Sequence, residues 1–129
     1  MTQPDGRQRM ILVVEDEPLL RELVVEELTE AGFDVLQAEI GHAAIALIDS
    51  GRPIEVLFTD IRLPGVLDGW QIAQHARAAI PGIHVIYASG YTVDRSGQVP
   101  DSLYIKKPYL PAAVVAEIKG RLFGSEAGM

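Results

Sequence analysis

The sequence predicts an α/β domain built on an open, flavodoxin-like, doubly wound sheet of five parallel strands with helices on both faces. Three observations carry that expectation. Short apolar runs recur along the chain, brief enough for strands and several rich in β-branched residues. Stretches with apolar residues at three- and four-residue spacing separate most of them. The runs are apolar at consecutive positions, as strands covered on both faces require.

Taken in order, the candidate strands are Met10 to Val14, Val35 to Ala38, Val56 to Phe58, Val85 to Ala88 and Leu103 to Ile105. The first helix carries Leu20, Val24 and Leu28, the second Ala44, Leu47 and Ile48, the third Ile72, Ala73 and Ala76. The last carries Val114, Val115, Ile118 and Leu122. Pro18 and Pro111 suit first-turn positions, and Gly32, Gly51, Gly82 and Gly124 suit helix ends. Between the fourth and fifth strands, Thr92 to Ser102 contains Gly97 and Pro100 and shows no apolar stripe, so a fourth helix there is expected to be short or irregular. Right-handed crossovers make 2-1-3-4-5 the leading strand order, with the site beyond the carboxyl ends of strands one and three.

With 129 residues and 48% hydrophobic composition, the chain suits one domain, expected over residues 10–123 between flexible tails at 1–9 and 124–129. It has no cysteine, which excludes thiolate metal sites and thiol chemistry. A formal charge of -7 without a basic cluster argues against direct nucleic-acid binding. No stretch reads as a secretory signal or a membrane span, so a cytoplasmic protein without a membrane partner is expected.

The strand ends carry the chemistry. Glu15, Asp16 and Glu17 follow the first strand and Asp60 follows the third, so carboxylates distant in sequence converge. Crowded carboxylates repel unless a cation screens them, and an all-oxygen set suits Mg²⁺ or Mn²⁺. Ser89 follows the fourth strand, and Lys106 and Lys107 end the fifth. A carboxylate nucleophile, a hard cation, a hydroxyl and an ammonium are the parts that phosphoryl transfer requires. Plainer roles exist for each: the Glu15 to Glu17 acids also suit the positive end of a helix, and Ser before Gly is a common turn. His42, His75 and His84 have no metal-ligand spacing and are assigned no function, and Trp70 reads as packing.

In these residues the chain resembles the receiver domains of two-component response regulators, of the stand-alone type. The resemblance rests on VVEDEP at Val13 to Pro18, TDIRLPG at Thr59 to Gly65, DGW at Asp68 to Trp70, ASG at Ala88 to Gly90 and YIKKP at Tyr104 to Pro108. It implies that Asp60 accepts a phosphoryl group from the phosphohistidine of a sensor histidine kinase or a histidine phosphotransfer protein. Mg²⁺ would be held by Asp16 and Asp60, by Glu15 through water and by the backbone carbonyl of Arg62. Ser89 and Lys107 would bind the phosphoryl oxygens, Lys106 would face away, and the Lys107-Pro108 bond would be cis. Ser89 and Tyr104 would form the switch that presents a changed surface to a downstream protein.

Three departures from the family pattern stand out. The loop from Asp60 to Asp68 is one residue longer than in the commonest members of the family, with Val66 and Leu67 near its tip. Arg62 and Tyr91 are large and are expected to tune access to the site. The span from Ser89 to Tyr104 is about one helical turn short. Two other readings remain open at this point: a phosphate sink or shuttle with no output state, and a flavodoxin-like enzyme or flavin carrier. The acidic first strand-helix turn opposes the last, because a cofactor phosphate there calls for free backbone amides.

Overall fold

The computed structural model describes residues 9–90 and 95–124. Five strands, β1 (Met10–Val14), β2 (Asp34–Ala38), β3 (Ile54–Asp60), β4 (His84–Ser89) and β5 (Ser102–Lys106), form one parallel sheet in the order β2-β1-β3-β4-β5. Four helices connect or follow them: α1 (Pro18–Glu30), α2 (Gly41–Ile48), α3 (Gly69–Ala79) and α4 (Pro111–Phe123). Among the described residues, only a 3-10 turn at Arg95–Gly97 lies between β4 and β5, as the Gly97 and Pro100 breakers anticipate. No described helix is long and apolar enough to cross a membrane.

Strand alternation sorts the core into two layers. Leu12, Val14, Leu57, Val85 and Tyr87 pack with Ala44 and Ile48 of α2 and Ile72, Ala73 and Ala76 of α3. Ile11, Val13, Val56, Phe58, Ile86 and Ala88 pack on the other face with Val24 and Leu28 of α1 and Val114, Val115 and Ile118 of α4. Both faces of β1, β3 and β4 are thereby dry, which is why their sequences are continuously apolar. Pro18 and Pro111 begin their helices, and Gly32 ends the α1 turn at φ 96, where a side chain would be strained.

Helix α3 begins with a reciprocal cap that fixes its start beside the tip of β3. The Gln71 N–H donates to Asp68 Oδ1 at 3.0 Å, and the Asp68 N–H donates to Gln71 Oε1 at 2.9 Å. Gly69 follows, with its N–H donating to the Ile61 carbonyl at 2.7 Å. A Cβ on Gly69 would sit 2.1 Å from the Asp60 carbonyl oxygen, so only glycine lets the helix approach this closely.

Arg9, the residue before β1, is tied to the sheet. Its guanidinium pairs with Glu55 at 2.6 Å and lies over the Phe123 ring, and its carbonyl accepts from the Asp34 N–H at 2.9 Å. The backbone bond extends the β1–β2 ladder by one step, which ties the residue down. Residues 1–8 and 125–129, most of the two expected tails, lie outside the described residues.

Candidate functional site

Parallel register brings the strand tips together. Val14 is level with Thr59, Asp60 with Ala88, and Ser89 with Lys106. The residues one step further on therefore cluster at one edge of the sheet. One carboxylate oxygen from each of Glu15, Asp16 and Asp60 lies within 4.8 Å of the others. Glu15 and Asp60 are buried, and Asp16 is the most open of the three.

Lys107 reaches into this cluster, with Nζ 2.9 Å from Asp60 Oδ1, 3.0 Å from Glu15 Oε1 and 3.6 Å from Glu17 Oε1. Lys106 is exposed, as strand alternation requires. The Lys107-Pro108 bond is cis. Asp16, Glu17, Asp60, Arg62, Ala88, Ser89, Gly90 and Lys107 line a cavity of about 490 Å³ open to solvent. Ser89 is buried at its inner wall, and Arg62 is exposed beside Asp60. Tyr91, expected at the mouth, lies outside the described residues.

The electrostatics follow from this packing. Burial, a hydrogen bond with Glu15 and the Glu15 charge push the Asp60 carboxyl up to about 8, against the lowering pull of Lys107. Burial also penalises the Glu15 carboxylate, but hydrogen bonds with Asp60, Lys107 and the Glu17 backbone N–H outweigh it and leave Glu15 below the usual range. Burial weakens the Lys107 ammonium, yet its bonds to Asp60 and Glu15 win and hold its pKa above the usual lysine value. Asp60 and Glu15 therefore titrate as a coupled pair, pushed in opposite directions, with Lys107 favouring the ionised form of both. An all-oxygen donor set with excess negative charge fits a hard divalent cation.

Glu17 is the N-cap of α1, at its positive end, but makes no side-chain cap bond. The Glu15 carboxylate instead accepts the Glu17 N–H at 3.2 Å, and the Arg21 guanidinium donates to the Glu15 carbonyl at 2.7 Å. The β3–α3 loop splits the two apolar residues near its tip. Val66 is exposed, whereas Leu67 packs against Gly41 at the start of α2.

Tyr104 is half-buried and level with Tyr87, packing against the α2–α3 side of the core. Trp70 is a packing residue, its ring centroid 4.5 Å from that of Tyr87. His75 contacts Asp49 at 2.7 Å between α3 and the end of α2, far in sequence from the strand tips.

Sequence reasoning missed two neighbours of the cluster. Glu17 was read only as part of an acidic run, although it is the third carboxylate against Lys107. Tyr109 stands edge-on to Phe58 at 5.6 Å, and burial together with the nearby Glu15, Asp60 and Glu17 raises its phenol. With Glu17, Leu20, Gly90, Lys107 and Pro108 it lines a second cavity of about 360 Å³. Its place after a Lys-Pro pair was the available signal.

Strand order and the acid-rich switch point define the class, an α/β protein of flavodoxin-like architecture with an oxygen-rich site at its strand ends. Within that class, the chain belongs to the response regulator receiver domain family, whose pattern it matches over residues 11–119. A response regulator receiver protein from Sinorhizobium medicae superposes with a TM-score of 0.85 at 35% identity, covering 90% of this chain and 95% of that one. The transcriptional regulatory protein AruR of Pseudomonas aeruginosa is 35% identical over 116 residues, 84% of this chain and 47% of AruR. The DNA-binding response regulator MtrA of Mycolicibacterium smegmatis is 32% identical over 129 residues, 95% of this chain and 54% of MtrA. The chain spans about half the length of these curated relatives.

Proposed function

We propose that this receiver domain accepts a phosphoryl group on Asp60 from the phosphohistidine of a sensor histidine kinase or a histidine phosphotransfer protein. The observation that carries the reading is Asp60 itself: a buried carboxylate 2.9 Å from a lysine ammonium and grouped with two further carboxylates at the wall of an open cavity. Asp16 and Asp60 would hold Mg²⁺ directly, with Glu15 through water and the Arg62 carbonyl completing the set. Bound there, the cation supplies the charge that favours ionised Asp60 and offsets an incoming phosphoryl group.

In the transfer, an Asp60 oxygen forms a bond to phosphorus as the P–N bond to the donor imidazole breaks, and the ring leaves with the electron pair. Lys107 exchanges its carboxylate contacts for the phosphoryl oxygens, and the Ser89 hydroxyl donates to them. Arg62 stands at the mouth and crowds the line of water attack on the phosphorylated product. Leu19 and Leu110 are 71% and 73% exposed on α1 and just before α4, the elements that supply Leu20 and Tyr109 to the second cavity. Apolar surface beside the acceptor suits a protein donor.

The Asp60→Asn variant tests the reading. It is expected to take no label from a phosphohistidine donor or acetyl phosphate, and EDTA is expected to abolish labelling of the wild type. Equal labelling of the variant would move the acceptor elsewhere.

One observation favours the sink or shuttle as a second reading. The 3-10 turn and the segment after it are bonded to α3 and β4, as a fixed loop with no output state would be. If Tyr104 turns inward with Ser89 on phosphorylation, amide protection across β5 changes with a phosphate mimic and Mg²⁺. An unchanged pattern supports the sink.

A further inference from the structure

Glu17 has no part in the scheme above, yet it touches the group on which that scheme depends. Its carboxylate lies 3.6 Å from Lys107 Nζ and is 63% exposed, and the residue lines both the acceptor cavity and its neighbour. It stands at the N-cap of α1 without a side-chain cap bond, so its carboxylate is left free to face Lys107. The charged groups at the acceptor cavity are Asp16, Glu17, Asp60, Arg62 and Lys107, with Glu15 directly behind. Four carboxylates face two cations. Asp16, Glu15 and Asp60 form the cation-binding set, which leaves Glu17 as the carboxylate at the rim that no bound cation would neutralise.

From this placement we infer that Glu17 is a charge filter for the phosphoryl donor. It disfavours small donors that arrive as dianions, such as acetyl phosphate, relative to the phosphoramidate ion, whose protonated nitrogen offsets one negative charge. The inference rests on Asp60 as acceptor. Both donors form the same Asp60 O–P bond. With acetyl phosphate the P–O bond breaks and acetate leaves; with phosphoramidate the P–N bond breaks and the protonated nitrogen leaves as ammonia.

The discrimination comes from Coulomb repulsion before the bond changes, since each donor must pass Glu17 while Lys107 is still partly engaged by it. One unit of charge difference across several ångströms of hydrated rim corresponds to a ratio of roughly threefold to fivefold.

The test measures initial labelling rates of the full chain with acetyl phosphate and with phosphoramidate, in Mg²⁺, for wild type and Glu17→Gln. The expected result is a rise of roughly threefold to fivefold in the acetyl phosphate to phosphoramidate ratio for the variant, shrinking toward unity at about 0.5 M salt. Glu17→Asp, which restores the charge, is expected to return the ratio toward the wild-type value. A ratio that Glu17→Gln leaves unchanged overturns the inference, as does one that Asp and Gln shift equally, because the effect would then be one of shape. Failure of the acceptor assignment has a separate signature: Asp60→Asn labelled as well as wild type by both donors.

Discussion

Asp60 is asked to be both buried and ionised, and its surroundings set the pH at which that conflict shows. In the unfolded chain its carboxyl titrates near the ordinary 3.8, whereas burial and Glu15 push it up to about 8 in the metal-free fold. Between those values the folded protein holds a proton that the unfolded chain has released, so stability is greatest on the acid side and declines as pH rises through the window. Glu15 acts in the opposite sense, contributing stability above its ordinary value that is lost in acid. In EDTA the melting temperature is therefore expected to fall between pH about 5 and about 8, and Mg²⁺ is expected to raise it most at the upper end. A melting temperature that is flat or rising across that range without metal would contradict this account. The meeting of Asp60, Asp16 and Lys107 was legible in the sequence because charged residues at or just beyond the ends of neighbouring parallel strands fall at one sheet edge. Glu17 and Tyr109 were not, because contact with Lys107 depends on how the turn after β5 folds back.

At the level of elements, a row of contacts holds the described residues between β4 and β5, where the 3-10 turn lies. Trp70, Gln74 and Arg77 lie at four- and three-residue spacing on α3. Gly97 packs on the Trp70 ring, Gln74 donates to the Gly97 carbonyl at 3.3 Å, and Arg77 donates to the Pro100 carbonyl at 2.7 Å. From β4, the buried Tyr87 hydroxyl accepts the Val99 N–H at 3.1 Å. Tyr87→Phe keeps the ring but orphans a buried donor, an expected loss of about 1–3 kcal/mol. The matching readout is faster amide exchange at Val99, with β1 to β3 unaffected; unchanged exchange at Val99 would show that the bond holds nothing. Gly69→Ala is expected to do more. Its Cβ would meet the Asp60 carbonyl and Ile61 Cα, so the end of β3 must shift. Mg²⁺ affinity measured by calorimetry should drop at least about tenfold, the scale on which support of metal ligands acts. Gly97 and Pro100 revealed from sequence that this stretch was irregular. The residues that would hold it could not be read there, because side-chain donors on α3 meet backbone acceptors some twenty positions away only once the crossover is made.

For the molecule as a whole, the strand order was readable because handedness leaves so few ways to arrange five βα units. The two core layers share the backbone of β1, β3 and β4, so neither can loosen alone. Leu57→Ala and Ile86→Ala remove fully buried side chains from opposite faces, and each is expected to cost about 2–5 kcal/mol. Chemical denaturation of either variant should show one transition by fluorescence of Trp70, on the first face, and by circular dichroism. Two separated transitions would mean that the faces unfold independently.

The Lys107 N–H donates to the Ser89 carbonyl at 2.9 Å, and this single bond yokes the hydroxyl and ammonium arms of the site at their roots. The two backbones are thereby tied at the strand tips while the Lys107 side chain keeps its own reach, so a pull on the tip of one strand is felt at once by its neighbour.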